Sequence, residues 1–512
     1  MISPSPSPRP RSANRRAVLA LTSAGLFVAS LDAYVVVTAL IPMLTSVHIP
    51  VLPVTNLAKA TPIITGFLLG YLAVMPLAGG LSDRFGRLRV FVACLVLFGL
   101  GSLITATATS LPSLVTGRLL QGAGGGALVP VVLALAADLY PAGGRSPVLG
   151  GVSALQEVGS VLGPLWGGVI ASAWGWQWIF WLNLPFVALL LWALWPEVRS
   201  GDTVRAKTPL DLPGAALAGA GLALLTLALY AGDPDRSPVG AGFFWQAPVA
   251  LVLFALFIRR ERRAPRPLID VRYFRDSSFS GAAVANAISG AGLMVALVFI
   301  PVLAESDLVF NMNSQQAAVL LFRLMIGIPI GALLGGFLAQ RLRSYRAVAA
   351  AGLALAGLGF FSLSGWDQNT LSHNLLGLPL RLADLQLFSA GLGLGLEIAP
   401  VSAALLDVVG DAHRGAAASF LVLMRLVGML IGFSLLAGFA LFHFQQATAH
   451  LIPPVFSALP DYLARFATYE LRVRQAILDE YHFIFVITAV VLLLGAVIAA
   501  ATLRPLPRRP VP

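Results

Sequence analysis

Between short interruptions of charge and proline, this chain runs apolar for roughly twenty residues at a time, again and again. A helix rising about 1.5 Å per residue needs about 20 residues to cross the ~30 Å of hydrocarbon in a bilayer, and a soluble domain has no use for repeated runs of that length. Composition points the same way, because 58% of the 512 residues are hydrophobic and 11% are charged. Soluble domains carry about a quarter charged residues. The expectation is an all-α polytopic membrane protein with 14 spans, near 17–44, 60–80, 89–107, 111–137, 148–173, 178–195, 213–231, 244–258, 277–304, 315–340, 347–364, 386–407, 415–444 and 480–503. The first run follows Arg15 and Arg16, is too long for a signal-peptide core and precedes no small-residue cleavage site, so it reads as a retained span.

A net charge of +11 raises the question of nucleic acid, and the placement of the charges answers it. With the N-terminus in the cytoplasm, and with Arg89 at the very start of its span taken as cytoplasmic, 25 of the 34 Lys and Arg residues fall in cytoplasmic segments, 6 outside and 3 within spans. Arg259, Arg260, Arg262, Arg263, Arg266, Arg272 and Arg275 form one such cluster. This positive-inside bias puts both termini in the cytoplasm, with anionic lipid headgroups rather than nucleic acid facing the basic loops. One cysteine, Cys94, rules out a disulfide framework or a thiolate cluster, and the scattered His residues show no metal spacing.

Two segments recur. "GGLSDRFGRLRV" (79–90) follows the second span and "GFLAQRLRS" (336–344) follows the tenth, so that Gly79 aligns with Gly336 and Arg84 with Arg341. "GAGGGALVP" (122–130) in the fourth span is echoed by "GLGLGLEIAP" (391–400) in the twelfth. Such parallel repeats imply two six-helix halves with a substrate site between them near mid-membrane. The division is a cytoplasmic tail (1–16), an N-terminal bundle (17–195), two linker helices with basic loops (196–275), a C-terminal bundle (276–503) with a long periplasmic loop (445–479), and a cytoplasmic tail (504–512).

The motifs make this specific. "GGLSDRFGR", with Gly79, Asp83, Arg84, Gly86 and Arg87, is similar to the signature loop of the major facilitator superfamily. "RLLQGAGGGAL" from Arg118 resembles its fourth-span motif, and "GSVLGPLWGG" its fifth-span antiporter motif, with Gly159, Gly163, Pro164, Gly167 and Gly168 in register. "WQWIFWLNLP" (176–185) and "LDAYVVVTALIP" (31–42) resemble marks of the fourteen-helix drug/proton antiporter branch, although Gln177, Tyr34 and Thr38 depart from the usual Arg, Thr and Asn. "LDAYVVVT", "LQEVGSVLGPL", "HNLLGL" (373–378), "AGLGLGLEIAP" and "RLVGMLIG" (425–432) further resemble the triacylglyceride exporters of that branch. That resemblance implies a lipid substrate and a periplasmic lipoprotein partner.

Ionisable groups inside hydrocarbon cost at least a few kcal/mol each, so they face a cavity, pair, or both. Depth limits who can meet whom. Asp32 lies ~22 Å from the cytoplasmic face and Arg118 ~10 Å from the outer one, which puts both in the outer half. Protonating a carboxylate beside a guanidinium frees the latter, so the pair is the candidate proton site; a permanent structural ion pair is the alternative. Glu157 and Arg425 lie ~14 and ~15 Å from the cytoplasmic face on opposite halves, and are the candidate ion pair of a cytoplasmic gate. Arg323 and Glu397, ~12 and ~16 Å from the outer face, form a candidate salt bridge within the second half. In the hinge loop, Asp83 is expected at a helix N-terminus and Asp138 beside Arg84 or Arg87, as a conformational latch.

Gly159, Gly163 and Gly167 stand four apart on one face and invite close approach by another helix, while Ser153, Glu157, Ser160 and Pro164 form a separate polar seam. No Walker loop, Ser/His/Asp grouping or cofactor motif is present, so an enzyme or primary pump is not expected. The reading is a monomeric, proton-coupled exporter of a lipophilic substrate, with protons as coupling ion and no cofactor or metal. An exporter of amphiphilic drugs and a non-transporting scaffold for a lipoprotein are the alternatives.

Overall fold

The apolar runs fold as helices in the computed structural model, which describes residues 12–49, 61–140, 142–200, 211–230, 237–264, 270–367, 370, 381–409, 414–451 and 461–504. The first half holds α1 (Ser12–Val35), α2 (Leu40–Ser46), α3 (Thr61–Phe85), α4 (Arg87–Ala106), α5 (Leu111–Leu139), α6 (Ala142–Trp174), α7 (Gln177–Trp181) and α8 (Asn183–Ser200). The linker pair is α9 (Leu212–Leu229) and α10 (Phe243–Glu261). The second half holds α11 (Ser277–Glu305), α12 (Ser314–Leu342), α13 (Tyr345–Leu363), α14 (Leu382–Leu396), α15 (Ile398–Val408), α16 (Arg414–Thr448) and α17 (Asp461–Thr502). Among the described residues, 13 helices are long and apolar enough to cross a membrane. The expected span at 148–173 lies within α6, which runs 33 residues.

Helix starts follow local chemistry. Asn313 and Gln316 exchange side-chain bonds to each other's backbone N–H at the start of α12, and Ser344 Oγ accepts from Ala347 N at 3.1 Å at the start of α13. Between α3 and α4 the chain turns at Gly86, whose φ of 100° suits a residue without a Cβ.

The repeat read from sequence is repeated in the packing. A Cβ on Gly122 of α5 would stand 2.0 Å from Phe67 O of α3, and one on Gly391 of α14 would stand 1.9 Å from Leu324 O of α12. Phe67 and Leu324 each precede the aligned Gly79 and Gly336 by the same number of residues. One turn further on, Gly126 meets Tyr71 and Gly395 meets Ile328 in the same way. Both halves thus depend on one device, a glycine face that lets two helix backbones touch.

The linker helices flank the body. α9 packs against α3 of one half and α16 of the other, while α10 leans on α9 and leaves Phe244 and Leu251 exposed. Bilayer covers such a face in a membrane protein.

The last two helices run past their apolar spans, as the helical spacing visible in the sequence from Asp461 onward suggests. α17 has 42 residues and begins at Asp461 rather than near 480, so it is roughly 63 Å long, about twice the hydrocarbon thickness. Residues 461–479 of the expected loop are therefore helix. Residues 373–378 lie outside the described residues.

Candidate functional site

A cavity of about 210 Å³ lies between the halves. Ile64 and Leu68 line it from the first half and Met294, Leu421 and Met429 from the second, so its wall is largely apolar. Its charged lining groups are Arg118, Glu157 and Arg425.

The cavity tapers along α6. On one face of that helix, Ser153 and Glu157 are exposed, Ser160 is half-buried, and Pro164 and Gly168 are buried. Closure occurs at Gly168, where an added Cβ would lie 2.4 Å from Ala318 Cβ and 2.6 Å from Ser314 O of α12. The halves therefore touch backbone to backbone at the end of α6 near Trp174, while Ser153 and Glu157 further back along the helix are exposed.

Asp32 and Arg118 meet as expected, with Arg118 Nη1 donating to Asp32 Oδ2 at 2.7 Å and both side chains 1% exposed. Asp32 Oδ1 accepts from Asn183 Nδ2 at 2.8 Å and from Gln121 Nε2 at 3.3 Å. Gln121 also accepts from Arg118 at 3.0 Å and donates to Ser102 Oγ at 2.8 Å. The guanidinium lies 4.2 Å from the centre of the Phe67 ring, a cation–π arrangement. A buried ion pair is tolerable when the remaining lone pairs and protons are bonded, and this network does that for the carboxylate. Sequence reading missed Asn183, Gln121 and Ser102. The signal was there for two of them, since Asn183 sits in "WLNLP" and Gln121 in "RLLQGAGGG".

Glu157 and Arg425 also face each other across the halves, 3.9 Å apart, too far for a hydrogen bond. Glu157 is 48% exposed, so the pair stands in the mouth of the cavity and does not seal it; the seal is at Gly168. Arg425 has a second carboxylate, Glu397, also at 3.9 Å and 0% exposed. The arginine is set there by Gly290 of α11, where a Cβ would stand 2.1 Å from the Arg425 carbonyl oxygen.

The expected Arg323–Glu397 bridge is not formed. Arg323 pairs with Asp384, three residues past Arg381, and Glu397 turns to Arg425. The physical reason is depth. α14 begins at Leu382, so Asp384 lies in its first turn near the level of Arg323, while Glu397 is 13 residues deeper, at the junction of α14 and α15.

The latch is built around Arg87. It donates to Asp138 Oδ2 at 2.9 Å, to Ser82 Oγ at 2.6 Å and to Gly79 O at 3.3 Å, and it pairs with Asp83. Asp83 thus neutralises Arg87 rather than capping a helix, because the bend at Gly86 brings the two side chains together. Arg84 lies over the Phe85 ring, outside the latch.

The antiporter-motif glycines pack as the spacing predicts. Added Cβ atoms on Gly159, Gly163 and Gly167 would meet the carbonyl oxygens of Phe27, Leu31 and Val35 at 2.7, 2.5 and 2.3 Å, so this face holds α6 against α1. Pro164 has no N–H to give the Ser160 carbonyl, and its own carbonyl accepts from Thr38 Oγ1 at 2.8 Å, which ties α6 to the end of the first span. Tyr34 lines the cavity. Among the described residues no group of His, Cys, Asp and Glu is placed to hold a metal ion.

Residues 22–432 match the Major Facilitator Superfamily. The chain belongs to that superfamily. As a facilitator-superfamily protein it is a multi-pass membrane protein, and its relatives are close. The Triacylglyceride transporter of Mycobacteroides abscessus is 41% identical over 441 residues, covering 85% of this chain and 84% of that one. The Triacylglyceride transporter of Mycobacterium tuberculosis is 40% identical over 503 residues, 95% of this chain and 94% of that one. Among solved structures, an auto-inhibited POT family peptide transporter matches with a TM-score of 0.64 at 18% identity, over 94% of this chain and 96% of that one. At that identity the likeness is one of fold.

Proposed function

We propose that this protein exports a lipid of the triacylglyceride class from the bacterial cytoplasmic membrane by alternating access driven by protons. The observation that carries the reading is the tapered central cavity between two repeated halves, closed at Gly168 and with Glu157 exposed at its mouth, together with relatives whose names specify triacylglyceride. An apolar wall suits an apolar cargo, and a site shared by two halves is what a rocking exchange needs. With both termini cytoplasmic the open end faces the cytoplasmic leaflet. The cycle then requires the Gly168 contact to part and the Glu157–Arg425 pair to tighten.

Asp32 is the proton acceptor in this account. Protonation removes the charge that holds Arg118, and Arg118 already lines the cavity, so proton binding and cavity shape are linked through one guanidinium. Arg425, placed between carboxylates of opposite halves, is the moving member of the gate. The helices α16 and α17 reach beyond the bilayer and offer a place for a periplasmic lipoprotein to receive the cargo. The test is reconstitution of the full chain in liposomes with labelled triolein, an acceptor outside and an imposed pH gradient. Gradient-dependent transfer of triolein supports the reading. Transfer without dependence on the gradient removes the proton role, and transfer of a cationic dye but not of triolein favours a drug exporter.

A further inference from the structure

A second pocket lies where α2 and α3 of the first half meet α11, α16 and α17 of the second. Leu40, Val302, Phe433, Ala437 and Phe444 make it largely apolar; Thr61 and Tyr481 also line it, and Glu480 of α17 supplies the one carboxyl group in its lining. That carboxyl is 6% exposed. His443 Nδ1 lies 2.9 Å from Oε2 and serves as its donor, with the imidazole held by stacking on Phe483 at 4.9 Å between ring centres. Oε1 is buried and has no hydrogen-bond partner among the described residues.

A buried acceptor left unbonded costs about 1–3 kcal/mol, so a polar atom of this kind in an apolar pocket calls for a donor. The pocket measures about 40 Å³. A water needs about 10–15 Å³ on that measure, so there is room for roughly three heavy atoms. A hydroxymethyl group fits that volume and supplies the O–H. A fully esterified glyceride does not, because its polar atoms are all acceptors and meet a carboxylate that also only accepts.

We propose that this pocket is a second lipid subsite, which takes the free hydroxymethyl end of a diacylglycerol with Glu480 as acceptor. It rests on the lipid reading above for the class of ligand alone. The acyl chains run from the pocket along the apolar flank of α16 and α17, and His443 fixes the orientation of the carboxylate.

The test uses the full-length protein in phosphatidylcholine nanodiscs, photolabelled with a diacylglycerol carrying a diazirine in one acyl chain, with labelled peptides mapped by mass spectrometry. Labelling is expected on residues 433–444 and 477–484, displaced by dioleoylglycerol roughly tenfold better than by trioleoylglycerol, the scale of one hydrogen bond to a charged group. Glu480→Leu should erase that preference. Ala437→Leu, which fills the pocket and leaves the carboxyl in place, should lower labelling there severalfold and keeps the proposal testable if Glu480→Leu does not fold. A preference that survives Glu480→Leu, or labelling unchanged by Ala437→Leu, overturns the subsite. Labelling confined to the central cavity overturns the subsite and leaves the lipid reading standing, whereas no labelling anywhere on the protein overturns both.

Discussion

Gly168→Ala should shift the protein between its two states without unfolding it. The added Cβ would stand 2.4 Å from Ala318 Cβ, about 1 Å short of ordinary contact, and 2.6 Å from Ser314 O, which is backbone and cannot step aside. Overpacking of this kind costs ~1–3 kcal/mol. Because the clash lies between the halves, it burdens the state closed at this end and not the other, so the ratio of states should move by roughly 5- to 150-fold. Gly163→Ala is the control: its Cβ would meet Leu31 O at 2.5 Å inside the first half, which lowers stability in every state. The assay is a spin-label distance measurement across the closed end, between cysteines replacing the exposed Trp174 and Gln315 in a Cys94→Ala background. Gly168→Ala should lengthen the distance distribution, and adding Ala318→Gly should reverse part of the change. Identical distributions for Gly168→Ala and the parent, or an equal lengthening in Gly163→Ala, would refute the assignment of Gly168 to the seal.

Three other outcomes follow from the charges. Reversing the gate pair, Glu157→Arg with Arg425→Glu, should restore part of the lipid transfer lost in either single variant; because Glu397 remains beside position 425, rescue should improve further with Glu397→Gln, and no rescue in any combination would count against the pairing. A double-mutant cycle on thermal unfolding should give ~0.5–3 kcal/mol of coupling between Arg323→Ala and Asp384→Ala and additivity between Arg323→Ala and Glu397→Ala. Arg87→Ala should slow transfer and leave lipid binding unchanged, with Asp138→Ala giving a smaller loss because Arg87 keeps Asp83, Ser82 and Gly79; a drop in binding affinity would argue against a latch.

Much of the fold was readable from the chain because membrane burial forces long apolar runs, and because close helix contacts require glycine at fixed spacing. Gly122 and Gly391 open the two echoing motifs, and each makes the same contact in its own half. The Asp32–Arg118 and Glu157–Arg425 pairs were readable because each partner's depth follows from its distance to a helix end. The same reasoning failed for Arg323. Its partner, Asp384, falls outside an apolar run that begins at 386, although the helix begins at Leu382, and a boundary shift of four residues moves a side chain by about 6 Å along the axis. The amides around Asp32 were not singled out because Asn and Gln carry no charge to be paid for in hydrocarbon, although their hydrogen bonds complete the network. The length of α17 was legible as helical spacing from Asp461 onward, because Arg465, Arg472 and Arg474 end the apolar run but not the helical pattern.

The account turns on whether lipid and proton movements are one event. Liposomes containing the reconstituted full chain and an internal pH indicator should report a proton flux that begins only when triolein and an outside acceptor are both present. In Asp32→Asn that flux should vanish together with gradient-driven transfer of triolein. Proton flux that ignores triolein, or an Asp32→Asn protein whose transfer keeps the parent's dependence on the gradient, would contradict the account.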